Sequence, residues 1–152
     1  MCKETLKEKL GSNDTCYSNK TAAEEKGRKF RLILPKGEEA CRVNVDDCLL
    51  TQSEITGKKC DFLFYRCKTK DCFFVELKGQ DISRAFEQIT TTIKLLKNKL
   101  DVEKHQCFGF VSASKVSIPK FSSVKQKFEK KFKRDYGKEI RISSSSSDWK
   151  LD

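Results

Sequence analysis

Asp61, Glu76 and Lys78 are charged residues set in two apolar runs, Asp61-Phe62-Leu63-Phe64-Tyr65 and Cys72-Phe73-Phe74-Val75-Glu76-Leu77-Lys78. Charge inside an apolar strand is unfavourable unless a partner meets it. Both runs have strand character, and Lys68-Thr69-Lys70 between them reads as a turn. A hairpin with its tip between Lys68 and Thr69 sets Asp61 directly opposite Glu76, with Cβ atoms about 4.5–5.5 Å apart. Two carboxylates that close repel each other unless a cation lies between them. Hard oxygen ligands at such a spacing suit Mg²⁺ or Mn²⁺. Strand alternation puts Lys78 on the face of Glu76, where its charge would hold a phosphate oxygen or activate a water. The reading depends on register, because a slip of one residue sends Asp61 to the other face. The competing reading has Asp61 and Glu76 near strand ends, paired with Lys78 or Arg66, keeping the sheet edges soluble.

The elements around this hairpin are legible to varying degrees. The first 20 residues form a loose lysine-rich segment of modest helical character, closing in the turn cluster Gly11-Ser12-Asn13-Asp14. Thr21-Ala22-Ala23-Glu24 has the form of a capping box, which predicts a short helix over 22–29. Phe30 to Leu34 reads as a strand. So do Cys41 to Leu50, Cys60 to Cys67 and Cys72 to Lys78, with loops at Thr51-Gln52-Ser53 and Gly57. After Gly79 the period changes: Ile82, Phe86, Ile89, Ile93, Leu96 and Leu100 mark an amphipathic helix, with Asp81 as its N-cap. Gln106 to Ser112 reads as a buried strand. A second helix from Ser122 carries Val124, Phe128, Phe132 and Tyr136 on one stripe and ends at Gly137. Glu139 to Ser143 makes a last strand, and residues 143–152 read as a flexible Ser-rich tail. The strand–helix–strand passage over 72–112 requires a crossover and hence a parallel pair. The expectation is one α/β domain over 1–142: a mixed sheet, part antiparallel meander and part parallel, flanked by helices.

Composition bounds the partners. Lys plus Arg is 32 against 22 Asp plus Glu in 152 residues, a net charge of +10. That excess excludes the solvating acidic class and favours a polyanionic partner, either nucleic acid or an anionic membrane face. No apolar stretch reaches the length of a membrane span, and the N-terminus has no secretory h-region, so a cytoplasmic protein without membrane contact is expected. Cysteines at 2, 16, 41, 48, 60, 67, 72 and 107 show no Cys-x-x-Cys pairing, and free, buried thiols are expected. A Ser/His or Cys/His hydrolase is poorly supported, because the sole histidine, His105, has no evident acidic orienter.

Asp61, fourteen intervening residues and Glu76-Leu77-Lys78, followed by a helix containing Gln88, resemble the PD-(D/E)XK nuclease superfamily of restriction-endonuclease-like fold. The similarity is to small Holliday-junction-resolvase and RecB-type domains, and it covers roughly residues 20 to 112. Cys60 stands where the eponymous proline would be. The acid that some members carry on their first helix would be Glu24 or Glu25, and Asp46 or Asp47 is another candidate neighbour. The resemblance implies that Asp61, Glu76 and the Leu77 carbonyl bind the metal and that Lys78 orients or activates the attacking water. Gln88 would support the site by hydrogen bonding, unless it is a plain helix-surface residue.

Residues 120 to 141 hold nine Lys/Arg and three acids. With the aromatic stripe docked on the core, Lys127, Lys130, Lys131 and Arg134 face outward, a surface suited to phosphate contacts without base readout. A metal-dependent nuclease is therefore expected, with DNA rather than RNA as its expected substrate. Its size suggests a homodimer or a subunit of a larger repair, recombination or defence system. The alternative is a catalytically silent nucleic-acid-binding module, or an interaction subunit, of the same fold.

Overall fold

The structure, a computed structural model, describes residues 2–50, 59–79, 81–103, 106–113, 118–144 and 146–152; for Lys78, Gly79 and residues 118–122 the description covers the backbone alone. The loop positions expected at Thr51-Gln52-Ser53 and Gly57, and His105, lie outside the described residues. The elements are α1 (Cys2–Leu10), β1 (Tyr17–Ser18), β2 (Ala22–Glu25), β3 (Arg28–Ile33), β4 (Ala40–Asn44), β5 (Phe62–Arg66) and β6 (Cys72–Gly79). They continue as α2 (Ile82–Leu100), β7 (Cys107–Ala113), α3 (Ile118–Tyr136), β8 (Ile140–Ser143) and β9 (Ser147–Lys150).

The architecture is mixed α/β. A six-stranded sheet has the order β1-β4-β5-β6-β7-β8, and a second sheet has the order β2-β3-β9. β4, β5 and β6 form the antiparallel meander, and β6–β7 and β7–β8 are parallel, each joined through a helix. β5 is buried at all five positions, which explains its unbroken Phe-Leu-Phe-Tyr run: both of its faces are covered.

Two cores result. Leu63, Tyr65, Cys72 and Phe74 pack with Leu6 and Leu10 of α1, with the α2 stripe and with Phe132 of α3. Phe62, Phe64, Phe73, Val75 and Leu77 pack instead with Ala23, Phe30, Leu32 and Trp149 of the small sheet. The helices thus cover one face of the large sheet and the three-stranded sheet covers the other. α2 starts as expected, with the Asp81 carboxylate accepting from Ser83 N at 2.8 Å and Arg84 N at 3.4 Å. α3 buries Phe132, half-buries Val124, Phe128 and Tyr136, and stops at Gly137, whose φ is +80°.

Four expectations are corrected. Residues 22–29 are not a helix: β2 and β3 form a hairpin whose turn residues, Lys26 and Gly27, both have positive φ (50° and 77°). Such a turn matches the twist of a hairpin, and Ala23 opposite Phe30 gives it a buried face, which outweighs the local capping-box pattern. The strand expected over 41–50 ends at Asn44; the chain then turns, with Asp47 at φ 61° and Leu49 N bonded to Asn44 O at 3.1 Å. The cysteines are not all free: Cys2–Cys67 and Cys16–Cys48 are disulfides, while Cys41, Cys60, Cys72 and Cys107 are buried thiols. The last residues are not loose, since β9 pairs in parallel with β3 and buries Trp149.

Among the described residues no helix is long and apolar enough to cross a membrane. Disulfides are rare in the cytosol, so the cytoplasmic expectation gains no support from them.

Candidate active site

The hairpin register is the one the charges call for. Phe62 pairs with Val75 and Leu63 with Phe74, so the next position brings Asp61 opposite Glu76. Alternation along the two strands turns both toward the helix-covered face. There the ladder changes character. Val45 N still bonds Asp61 O at 3.0 Å on the β4 side. On the β6 side, the Asp61 N–H donates to Glu76 Oε1 at 3.1 Å, and the Leu77 N–H donates to Asp61 Oδ2 at 2.8 Å. Side-chain carboxylates thus take over where the backbone rungs of β5–β6 end. Asp61 is 3% exposed and Glu76 2%.

One step further along β6 the pairing with β7 slips. Glu76 pairs with Val111 but Gly79 pairs with Ala113, so β6 carries one more residue than β7 across this interval. Such bulges re-aim side chains. The interval contains Leu77 and Lys78, so simple alternation from Glu76 does not fix the face of Lys78, whose side chain lies outside the described residues. Leu77 itself still points to the opposite core.

α2 braces the approach to Asp61. Gln88 Nε2 donates to Lys59 O at 3.4 Å, so Gln88 contacts the segment leading into Asp61. Thr92, fully buried, accepts from Cys60 N at 2.9 Å and donates to Gln88 O at 2.7 Å. Sequence reasoning missed Thr92. The signal was there: it is the polar residue set into the α2 stripe between Ile89 and Leu96. Lys59 was also missed; it is 2% exposed, and its ammonium meets Leu50 O and lies 3.6 Å from Asp46 Oδ1.

The other acidic candidates are placed elsewhere. Asp46 faces Lys59, and Asp47 sits in the turn after β4. Glu24 and Glu25 lie on β2, in the sheet that covers the opposite face, with Glu24 3.8 Å from exposed Lys29. The Cys60 thiol is held protonated: burial above all, then the Glu76 charge, push its pKa well up. It is therefore no nucleophile.

Two adjacent buried carboxylates fit a small hard cation. Mg²⁺ is commonly held by one or two carboxylates and keeps several waters. Among the described residues no group of three His, Cys, Asp or Glu gathers as a fuller cage.

On α3, Lys127, Lys130, Lys131 and Arg134 are all exposed. The Lys131 ammonium lies 5.8 Å from the ring centre of Phe86 on α2, and that ring stacks on Phe128 at 4.5 Å. Arg134 is engaged by Asp135 at 3.0 Å. The basic helix therefore packs against the same helix that braces Asp61.

No family model matches the chain, and neither does any curated protein or solved structure.

Proposed function

We propose that the chain is a metal-dependent nuclease of the PD-(D/E)XK type, with a restriction-endonuclease-like core, and we assign it DNA rather than RNA as substrate. The observation that carries this reading is the pairing of Asp61 with Glu76, two buried carboxylates at the end of an antiparallel hairpin, on the face that α2 covers. The order meander, crossover helix, parallel strand is what such a core requires. Asp61 and Glu76, with the Leu77 carbonyl, are the ligands for Mg²⁺ or Mn²⁺. A bound ion would supply charge neutralisation at the scissile phosphate and lower the pKa of an attacking water. Lys78 stabilises the phosphate charge or orients that water, and Gln88 steadies the Lys59–Asp61 backbone. Lys127, Lys130, Lys131 and Arg134 provide sequence-independent backbone contacts. Recognition beyond this would come from a second copy or from a larger repair, recombination or defence assembly.

The test is cleavage of supercoiled plasmid and of duplex, single-stranded and branched DNAs with Mg²⁺ or Mn²⁺, alongside EDTA and Glu76→Gln. Metal-dependent cutting lost in Glu76→Gln supports the reading; cutting that persists in that variant overturns the assignment of the site.

A second reading, a silent nucleic-acid-binding module, is favoured by one specific observation. Asp61 and Glu76 each hold a backbone N–H, a role that needs no metal. It predicts salt-sensitive DNA binding that survives EDTA, with no cutting.

A further inference from the structure

We propose that Thr92 is a positioning residue for Asp61, acting through the Cys60 backbone; this deepens the nuclease reading and rests on it for the consequence in catalysis. Asp61 follows directly on two residues whose backbones are tied to α2 by side chains. Gln88 takes the Lys59 carbonyl at 3.4 Å, and the Thr92 hydroxyl takes the Cys60 N–H at 2.9 Å. The second bond is the shorter, and Thr92 is completely buried whereas Gln88 is half-buried.

The hydroxyl is oriented as well as placed. It donates to the Gln88 carbonyl one turn back in its own helix at 2.7 Å, leaving its lone pairs for Cys60. One residue past Cys60, the Asp61 N–H meets Glu76 Oε1, and Asp61 Oδ2 meets Leu77 N. The Lys59 carbonyl and the Cys60 N–H belong to one peptide unit, so both α2 bonds hold the 59–60 peptide. Its rotation would shift the next unit, whose N–H meets Glu76, and Asp61 with it. Supporting hydrogen bonds of this kind tune ligand geometry, and removing one lowers metal affinity or activity about 10–100-fold.

The experiment compares the full chain with Thr92→Val, which keeps shape and loses the hydroxyl, and Thr92→Ser, which keeps the hydroxyl. Amide hydrogen exchange at Cys60 and Asp61, Mn²⁺ affinity by calorimetry and DNA cleavage are read on all three. In Thr92→Val the Cys60 and Asp61 amides exchange faster while those of Phe110 and Val111 do not, and Mn²⁺ affinity falls about 10-fold. The loss in cleavage appears in kcat with KM unchanged, and Thr92→Ser restores each quantity. Unchanged exchange at Asp61 in Thr92→Val overturns the proposal, as does Thr92→Ser behaving like Thr92→Val, which would make the role one of packing. If the unmodified chain neither binds Mn²⁺ nor cuts, yet exchange follows the expected pattern, the nuclease reading falls and the positioning of Asp61 by Thr92 stands.

Discussion

Glu76 Oε1 accepts the backbone N–H of Asp61 at 3.1 Å, at the position where β5 and β6 cease to pair through their backbones. The reciprocal bond, Leu77 N to Asp61 Oδ2 at 2.8 Å, makes the two side chains a clasp across the opening of the hairpin. Each carboxylate therefore has a structural task besides any role in binding a cation. An amide can do the first but carries no charge for the second.

Asp61→Asn and Glu76→Gln are accordingly expected to keep the fold and lose the chemistry. Metal-dependent cleavage should drop by at least about 100-fold, the upper range for disturbing a metal's surroundings, with little change in melting temperature. Asp61→Ala and Glu76→Ala should also lose stability, because each leaves a buried N–H unsatisfied at about 1–3 kcal/mol. Cleavage assays and thermal melts on the four variants check this. Equal melting of the amide and alanine variants would mean the clasp holds nothing together.

The clasp was legible in the sequence because two independent signals met there. Turn residues at Lys68-Thr69 set the register, and only that register puts Asp61 against Glu76. α2 was legible from its period, because one apolar stripe over many turns has no competing pattern. What failed was local evidence overruled from a distance. Thr21 to Glu24 looks like a helix start until Phe30 and Trp149 supply a core for a hairpin. The disulfides join residues 65 and 32 positions apart, which no short spacing reveals. Thr92 could be read only as a polar residue on an apolar stripe, since its partner at Cys60 belongs to another element.

The basic face of α3 predicts DNA binding that weakens steeply with salt. Each phosphate contact removed should shallow the slope of log K against log salt by about 0.9. Lys130→Ala tests this most cleanly, because Lys130 is exposed and α3 places it away from the Phe86 contact made by Lys131. Arg134→Ala should have a smaller effect, since Asp135 already engages that guanidinium. Binding titrations at several salt concentrations decide it; an unchanged slope in Lys130→Ala would remove α3 from the interface.

The two disulfides close long loops, so each constrains the unfolded chain strongly. With sequence separations of 65 and 32, chain entropy assigns each about 4 kcal/mol. Cys2→Ser with Cys67→Ser, and separately Cys16→Ser with Cys48→Ser, should lower the urea midpoint by corresponding amounts. A reductant should do the same to the unmodified chain. Midpoints that do not respond to reductant would mean that the thiols are not paired.

Acid stability should depend on Glu38. Arg66 binds it through two bonds, Nε to Oε1 at 2.7 Å and Nη2 to Oε2 at 2.8 Å, and holds its carboxyl below the ordinary 4.5. A depressed folded pKa stabilises above the unfolded value, and that stabilisation is lost as pH falls through the folded one. Asp14 beside Lys3 and Asp148 beside Arg31 shift in the same direction. The chain should therefore weaken below about pH 4.5, and Glu38→Gln should be less stable at neutral pH and flatter in acid. Urea midpoints across that range measure both slopes; identical slopes would show that the pair contributes nothing.

The C-terminal strand should prove indispensable. Trp149 is 2% exposed and lies 5.3 Å from the Phe73 ring and 6.4 Å from the Phe30 ring, while the Arg141 guanidinium sits 4.0 Å from its centre. β9 also joins the end of the chain to β3 through Arg31 and Asp148 at 2.8 Å. Removing residues 147–152 would uncover Phe30 and Phe73 together. Trp149→Ala alone should cost about 3–5 kcal/mol, the usual range for emptying a buried aromatic site. Because Trp149 is the sole tryptophan, its fluorescence reports the same event directly. Emission should be blue-shifted in the folded chain and move to the red in one step with the loss of secondary structure. Emission already red in the folded chain, or a truncation at Ser146 that melts like the full chain, would return these residues to the status of a loose tail.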